Sequence, residues 1–570
     1  MKNKKSIFNN EVSIVLCGEA GQGIKTIESI LVNILKKSGL NVFATKEYMS
    51  RIRGGSNSTE IRVSNKNVKA MIKRIDILIP LDDKAINHVK DRINNETIII
   101  SDRDLIKSDY KIINIPFFQI AKEIGNTIFA NVIACGVILA LFKGDINILK
   151  NYLIHKFEKK GKNIIDKNIE SAIKGYELGE KLYNEGVIQL NIKSDSKILN
   201  HYFLNGTEAV GYGALAGNCN FISSYPMSPS TGVLTFLSEH SKEMEVVVEQ
   251  AEDEIAAVNM GLGAWYAGAR ALVTTSGGGF ALMGEGISLS GILETPVVIH
   301  LAQRPGPATG LPTRTEQGDL ELALYSGHGE FPRIILACYN IESTIKLTST
   351  AFDLADKYQV PVVILTDQYF LDSYYNTGKI DFNIKNEDYF IKTDKDYKRY
   401  QFTKNGISPR GIPGFGNGLV MVDSDEHDES GRITEDEKVR NQMVEKRLKK
   451  LELINKSSLR PIFIGSKNYK ILIVGWGSTY NSIKEAVDKL NNSEIGYLHF
   501  NQVYPINDSI NDYLKKAKKT IIIENNATAQ FAKLIKIKTG MDFDYKILKY
   551  SGIQFYVEEL VSKIKDVIGG

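Results

Sequence analysis

Four stretches in the middle of the chain combine residue types that can do chemistry. In FISSYPMSPST, two prolines stiffen a polar turn, and the hydroxyls of Ser228, Ser230 and Thr231 are placed to cap the next helix or to touch a ligand. In TTSGGGFALMGEG, Ser276 precedes Gly277, Gly278 and Gly279, which leave the backbone bare at a helix start. Bare N–H groups there suit an anion or the close approach of a flat ring, although a plain tight turn needs the same glycines. In AQRPGPATGLPTRTEQGD, prolines hold a long loop stiff. Arg304 at its start offers a planar fork for a carboxylate, whether of a ligand or of a neighbouring side chain. In VVVEQAEDEIAAVNMGLGAWYAGA, the acids Glu249, Glu252, Asp253 and Glu254 crowd a helix start, where the helix dipole favours carboxylates. Glu254 stands out because Ile255, Val258 and Leu262 mark a buried stripe beside it, and the small residues that follow let something pack closely.

These loops need elements to hold them. Apolar β-branched runs alternate with helical patterns almost throughout, which predicts an α/β chain with mainly parallel sheets. In such sheets ligands gather at the carboxyl ends of strands, where these stretches lie. Three blocks and a link emerge. Residues 1–190 hold the strands VSIVLC, DILIPLD and TIIISD and the helices IFANVIACGVILALF and IIDKNIESAIKGYELGEKLYNEG. Residues 191–385 run from helix GTEAVGYGALAG through strands NCNFISSYP, RALVTTS and TPVVIHLA to VPVVILTD. Residues 386–465 read as irregular and charged, and 466–570 as a smaller α/β block opening with YKILIVG.

The 570 residues carry 71 Lys+Arg against 67 Asp+Glu, a net charge of +4 that implies neither a nucleic-acid nor a membrane partner. No apolar run approaches a membrane span or a signal segment, so a cytoplasmic protein is expected. Cys17, Cys135, Cys219 and Cys338 form no CxxC pair and read as buried thiols; no compact motif here supplies a four-cysteine cluster site. DSDEHDESGR offers Asp425, Glu426 and His427 as cation ligands, but its spacing fits no standard loop and no metal is expected. GEAGQGIKT, from Gly18 to Thr26, resembles a phosphate loop superficially. Ile24 puts Lys25 out of register, and Glu19 sets negative charge where phosphate would sit, so a tight strand-to-helix turn is the first reading and a coenzyme A contact the second.

Taken together, YPMSPST, EQAEDEIAAVNMGLGAWYAGARALVTTSGGGFALMGEG, ETPVVIHLAQRPGPATGLPTRTEQGDL, SPRGIPG, DEHDESGR, VGWGST and IIIENNATAQ resemble the α subunit of 2-oxoacid:ferredoxin oxidoreductases of the 2-oxoglutarate synthase type. The first block, with GEAGQG and YMSRIRGGSNS, resembles the family's γ subunit fused ahead of α. The resemblance implies a central domain of the thiamine-diphosphate-enzyme, pyrimidine-binding type and a transketolase-like C-terminal domain. It implies oxidative decarboxylation, with electrons passing to ferredoxin and the acyl group to coenzyme A. Neither a GDG-to-asparagine motif nor cluster cysteines occur here, so a β subunit is expected to carry the diphosphate, Mg2+ and a [4Fe–4S] cluster, in a dimer of α–β heterodimers.

By this resemblance Glu254 is the carboxylate that touches the aminopyrimidine, with Glu252 as fallback, and Tyr225, Pro226, Ser276 and Gly277 line the cofactor. Arg304 and Thr313 match the substrate-carboxylate contacts, and Ser228 holds the hydroxyl position of a YPITP motif altered here to YPMSP. Arg53 is the basic residue expected toward the far end of the substrate, with Lys46 and Arg51 as competitors; such a group favours 2-oxoglutarate over pyruvate. Pyruvate, branched-chain 2-oxoacids, a non-catalytic assembly role and a nucleoside-triphosphatase built on the first loop are the alternatives.

Overall fold

The structure, a computed structural model, describes residues 6–19, 24–49, 55–104, 106, 110–380, 382 and 386–569. The chain forms two units: residues 1–204 with 372–380 and 556–559, and residues 205–371 with 381–555 and 560–570.

The first unit is built on an eight-stranded sheet in the order Ile112–Asn114, Ile98–Ser101, Ile77–Pro80, Glu11–Glu19, Ser56–Ser64, Asn41–Glu47, Tyr374–Thr377, Tyr202–Asn205. The half from Ile112–Asn114 to Glu11–Glu19 is parallel. Ser56–Ser64 then pairs antiparallel with both its neighbours. Val12, Ile14, Val15, Leu16 and Cys17 are all buried, as a strand covered on both faces requires. The helix Ala130–Leu141 is buried along its whole length. It crosses Lys162–Asn184 closely because Gly175 and Gly179 lack side chains: a Cβ on Gly175 would lie 2.1 Å from the Ile133 carbonyl oxygen.

The second unit contains two sheets. The larger, seven-stranded, runs Val247–Gln250, Phe221–Ser224, Ala271–Thr275, Val297–Gln303, Pro361–Asp367, Ile334–Ala337, Gln502–Tyr504. All its pairs are parallel except the last. The smaller has five strands, Ile462–Gly465, Ile495–Phe500, Ile471–Trp476, Lys519–Glu524 and Tyr545–Leu548, antiparallel only at its first pair. The expected α/β class with mainly parallel sheets is what the chain adopts.

Within the stretch expected to be irregular, Glu437–Lys456 is a 20-residue helix. Its buried residues include Lys446, Arg447 and Lys450, which hides it from any search for apolar periodicity. These cations meet buried acceptors. Lys446 Nζ donates to Glu294 Oε1 at 2.5 Å, Lys450 pairs with the same carboxylate, and Arg447 donates to both oxygens of Glu426 at 3.0 and 2.8 Å. Glu426 also pairs with Arg440, so the DSDEHDESGR segment anchors this helix through ion pairs, and no cluster of metal-ligating side chains occurs among the described residues. All four cysteines are buried and unpaired, and burial pushes Cys219 and Cys338 up to about 12. No helix among the described residues is long and apolar enough to cross a membrane.

Candidate functional site

The strands Phe221–Ser224, Ala271–Thr275 and Val297–Gln303 are neighbours, and their carboxyl ends release the polar turn, the glycine turn and the proline-rich loop. The helix Glu254–Tyr266 follows the edge strand Val247–Gln250 and presents one face to this sheet. Its buried residues are Glu254, Ala257, Val258, Gly261, Leu262 and Trp265, a helical stripe that begins with the glutamate itself. Ile255, expected in that stripe, is instead 49% exposed, because one residue past the first buried position is turned about 100° around the helix, off the stripe. Asp253 caps the helix by accepting from the Ala256 N–H at 2.7 Å, which frees Glu254 from capping duty.

Glu254 is 3% exposed, and its Oε1 has no hydrogen-bond partner. A buried carboxylate oxygen without a donor is costly and calls for an explanation. Burial first, and then the neighbouring Asp253, raise its pKa above the ordinary value. The glycine turn is fitted to it. A Cβ on Gly279 would lie 2.5 Å from Glu254 Oε1 and 2.3 Å from Thr275 Oγ1, so no other residue fits there without moving the carboxylate. Ser276, the N-cap of the next helix, is fully buried and its Oγ also lacks a partner. Gly277 meets Asp319: a Cβ there would sit 2.5 Å from Asp319 Oδ1. Glu252, the fallback, is exposed.

Arg304 begins the proline-rich loop and donates from Nη1 to the Ser228 carbonyl oxygen at 2.6 Å. The partner of Arg304 is thus a backbone carbonyl and not the carboxylate expected, and the side chain of Ser228 is exposed. Ser230 is buried and donates to the Met227 carbonyl oxygen at 2.7 Å, holding the turn rather than a ligand. Tyr225 is 41% exposed, and Pro226 and Thr313 are partly exposed. Beneath the turn His300 links Thr274 Oγ1 and Thr366 Oγ1 at 2.8 Å each; burial pushes it down to about 3, so it is a neutral structural bridge.

The loop is tied at both halves. Leu311 N–H donates to the Pro305 carbonyl oxygen at 3.0 Å, closing a turn in which Gly310 has φ +52. Farther on, Gln317 donates from Nε2 to the Trp476 carbonyl oxygen at 2.9 Å and accepts at Oε1 from the Asn525 N–H at 2.9 Å. The WGST and ENN turns of the smaller sheet therefore fasten the end of this loop. Sequence reasoning missed Gln317 and Asp319, although both stand inside the quoted TEQGDL motif.

Arg53 and Arg51 lie outside the described residues, as do Ala20 to Gly23 of the first glycine loop. Lys46 is paired with Asp372 at 3.5 Å; burial opposes its charge, but Asp372 and Glu28 outweigh that and hold its pKa above the ordinary value. Glu19 is occupied by Lys84 at 2.6 Å and its N–H by Asp82 at 2.7 Å.

Glu254 Oε1 and Ser276 Oγ are both buried and unpartnered, and the bare backbone of Gly277 and Gly279 is what lets Asp319 and Glu254 lie directly against the turn. Residues 212–446 match the family described as pyruvate flavodoxin/ferredoxin oxidoreductase, thiamine diphosphate-binding, and residues 13–178 match pyruvate ferredoxin/flavodoxin oxidoreductase. The 2-oxoacid:ferredoxin oxidoreductase subunit alpha of a Sulfolobus species is 32% identical, over 98% of this chain and 97% of its own. The 2-oxoglutarate synthase subunit KorA of Archaeoglobus fulgidus is 31% identical over 57% of this chain and 88% of its own. The solved structure of 2-oxoglutarate:ferredoxin oxidoreductase from Magnetococcus marinus, with 2-oxoglutarate, coenzyme A and succinyl-CoA bound, superposes with a TM-score of 0.92 at 28% identity, covering 98% of this chain and 100% of that one. Related at 32% identity along 98% of its length, this protein belongs to the α subunits of the 2-oxoacid:ferredoxin oxidoreductases.

Proposed function

We propose that this chain, joined to a β subunit, carries out the coenzyme A-dependent oxidative decarboxylation of 2-oxoglutarate to succinyl-CoA with ferredoxin as electron acceptor. The observation that carries the reading is that one sheet end holds both an unpartnered buried carboxylate, Glu254, and a guanidinium, Arg304, fixed on a neighbouring loop. Thiamine diphosphate, when bound, supplies the electron sink that lets the carboxylate of a 2-oxoacid leave as carbon dioxide. Glu254 Oε1 would bond the ring nitrogen of the pyrimidine and hold or move the proton there, a role that its raised pKa favours. Ser276, Gly277, Tyr225 and Pro226 are the other residues that would hold the cofactor. Arg304, pre-set by the Ser228 carbonyl, anchors the substrate's 1-carboxylate, assisted by the Thr313 hydroxyl. Mg2+, the diphosphate contacts and a [4Fe–4S] cluster belong to the β subunit in this proposal.

The preference for 2-oxoglutarate is supported by the names of the KorA relatives and of the Magnetococcus enzyme. An altered 2-oxoacid range is favoured by Ser228 in YPMSP, which keeps the hydroxyl of the motif's threonine but lacks its methyl. The test is anaerobic coexpression with the β subunit and measurement of coenzyme A-dependent reduction of a low-potential dye with 2-oxoglutarate, pyruvate and branched-chain 2-oxoacids. The highest kcat/KM is expected with 2-oxoglutarate; no turnover of any of them by a complex loaded with cofactor and cluster would refute the proposal. Arg304→Ala is expected to raise KM on the order of 10- to 100-fold, the effect of losing a charge-assisted anchor.

A further inference from the structure

The WGST and ENN turns that fasten Gln317 stand at the carboxyl ends of the neighbouring strands Ile471–Trp476 and Lys519–Glu524. Ile495–Phe500 lies on one side of Ile471–Trp476 and Lys519–Glu524 on the other. This is the switch point at which an open parallel sheet takes a ligand. Here the place is filled by the chain's own proline-rich loop. The Gln317 N–H donates to the Asn525 carbonyl oxygen at 2.7 Å, and Asn526 Nδ2 donates to the Gln317 carbonyl oxygen at 3.2 Å. Gln530 brackets the residues that follow: its Nε2 donates to the Gly318 carbonyl oxygen at 2.8 Å, and its Oε1 accepts from the Glu321 N–H at 3.0 Å. Between these two bonds stands Asp319, whose carboxylate lies against Gly277. We propose that Gln530 is a positioning residue of the candidate site: by holding the backbone on both sides of Asp319 it fixes that carboxylate against the glycine turn, and so sets how tightly the turn holds thiamine diphosphate. This role rests on the placing of the cofactor at Ser276 and Gly277 proposed above.

Gln530 works from a rigid base. Glu524 is fully buried and accepts from Trp476 Nε1 at 3.2 Å, Asn526 Nδ2 at 2.8 Å, and the Phe531 and Ala532 N–H groups at 3.0 Å each. One carboxylate thus joins both turns to the first turn of the helix Gln530–Thr539. On its other side the loop is held by the larger sheet. The Asp319 N–H donates to Gln303 Oε1 at 3.1 Å, and Gln303 Nε2 donates to the Thr366 carbonyl oxygen at 3.1 Å. Asp319 is therefore caught between the two sheets. The contact with the glycine turn has no slack, since a Cβ on Gly277 would sit 2.5 Å from Asp319 Oδ1, and a shift of either partner moves the other.

The test uses the α–β complex stripped of thiamine diphosphate, with the dissociation constant of the cofactor measured by calorimetry in the presence of Mg2+. Gln530 is half-buried, so its replacement spares the core. In Gln530→Ala the dissociation constant is expected to rise about three- to tenfold, as two hydrogen bonds to the loop are lost. Gln530→Met, which keeps the length of the side chain and loses both bonds, should match it. Lys533→Ala cuts the 2.9 Å ion pair that the same helix makes with Glu321 and should leave the constant within about twofold of wild type. Added to Asp319→Ala, Gln530→Ala should cost less than about twofold more, because the contact through which it acts is gone. Wild-type affinity in both Gln530 variants overturns the proposal, and so does full multiplication of the two effects in the double variant. Equal weakening by Lys533→Ala, the mark of a merely structural helix, overturns it as well. A wild-type complex that binds no thiamine diphosphate overturns the reading of the site and this role with it.

Discussion

At the scale of single residues, the site is defined by what its neighbours leave out. Gly279 exists as glycine because Glu254 Oε1 and Thr275 Oγ1 occupy the space of a Cβ. Gly279→Ala should therefore displace the glutamate, lower kcat by at least about tenfold and cost about 1–3 kcal/mol of stability, as overpacking does; activity and thermal melts of the complex read both. The glutamate was legible from an acid beside an apolar stripe, but its exact place was not, since Ile255 faces outward and Glu254 opens the stripe. Ser228 was legible as a hydroxyl at a motif position, yet the structure employs its carbonyl to hold Arg304, and backbone roles leave no trace in residue type. Asp319 escaped notice because a lone acid in a polar loop carries no signal until burial and a missing partner set it apart.

Among elements, the proline-rich loop and the helix Glu437–Lys456 show two ways of fixing structure without apolar periodicity. The loop is stiffened by its prolines and then fastened by Gln317 to Trp476 and Asn525. The smaller sheet thus steadies the segment carrying Arg304 and Thr313. Gln317→Ala removes the fastening while leaving those two residues intact. KM for the 2-oxoacid should rise roughly three- to tenfold with a smaller change in kcat, since misplacement weakens binding before chemistry. The helix is held through cations: Lys446 and Lys450 on Glu294, Arg447 and Arg440 on Glu426. Glu294→Ala leaves two buried lysines without their carboxylate and should destabilise the protein by about 3–5 kcal/mol. Chemical denaturation checks this. Alternating strands and helices were readable because parallel sheets need apolar runs, whereas this helix was not, because its inner face is charged.

For the molecule as a whole, stability and chemistry draw on the same kind of group, a buried carboxylate, in opposite states. Burial alone would raise the pKa of Glu294, but Lys450, Lys446 and Arg399 outweigh it and hold the carboxyl well below the usual range. A depressed folded pKa contributes stability that is complete above the unfolded value of 4.5 and is lost as pH falls beneath it. The melting temperature should accordingly fall from about pH 5 downward, and Glu294→Gln should flatten that fall while melting lower at neutral pH. Glu254 has no such cations and is raised, as the proposed exchange of a proton with a bound ring requires. That difference makes Glu254 the point on which the functional reading turns. The most direct measurement is coenzyme A-dependent turnover of 2-oxoglutarate by the anaerobically prepared α–β complex carrying Glu254→Gln, with thiamine diphosphate and cluster content matched to the wild type. Loss of activity by about 10²-fold or more is predicted, in line with removal of a positioned acid–base group. Wild-type turnover by the Glu254→Gln complex would contradict it.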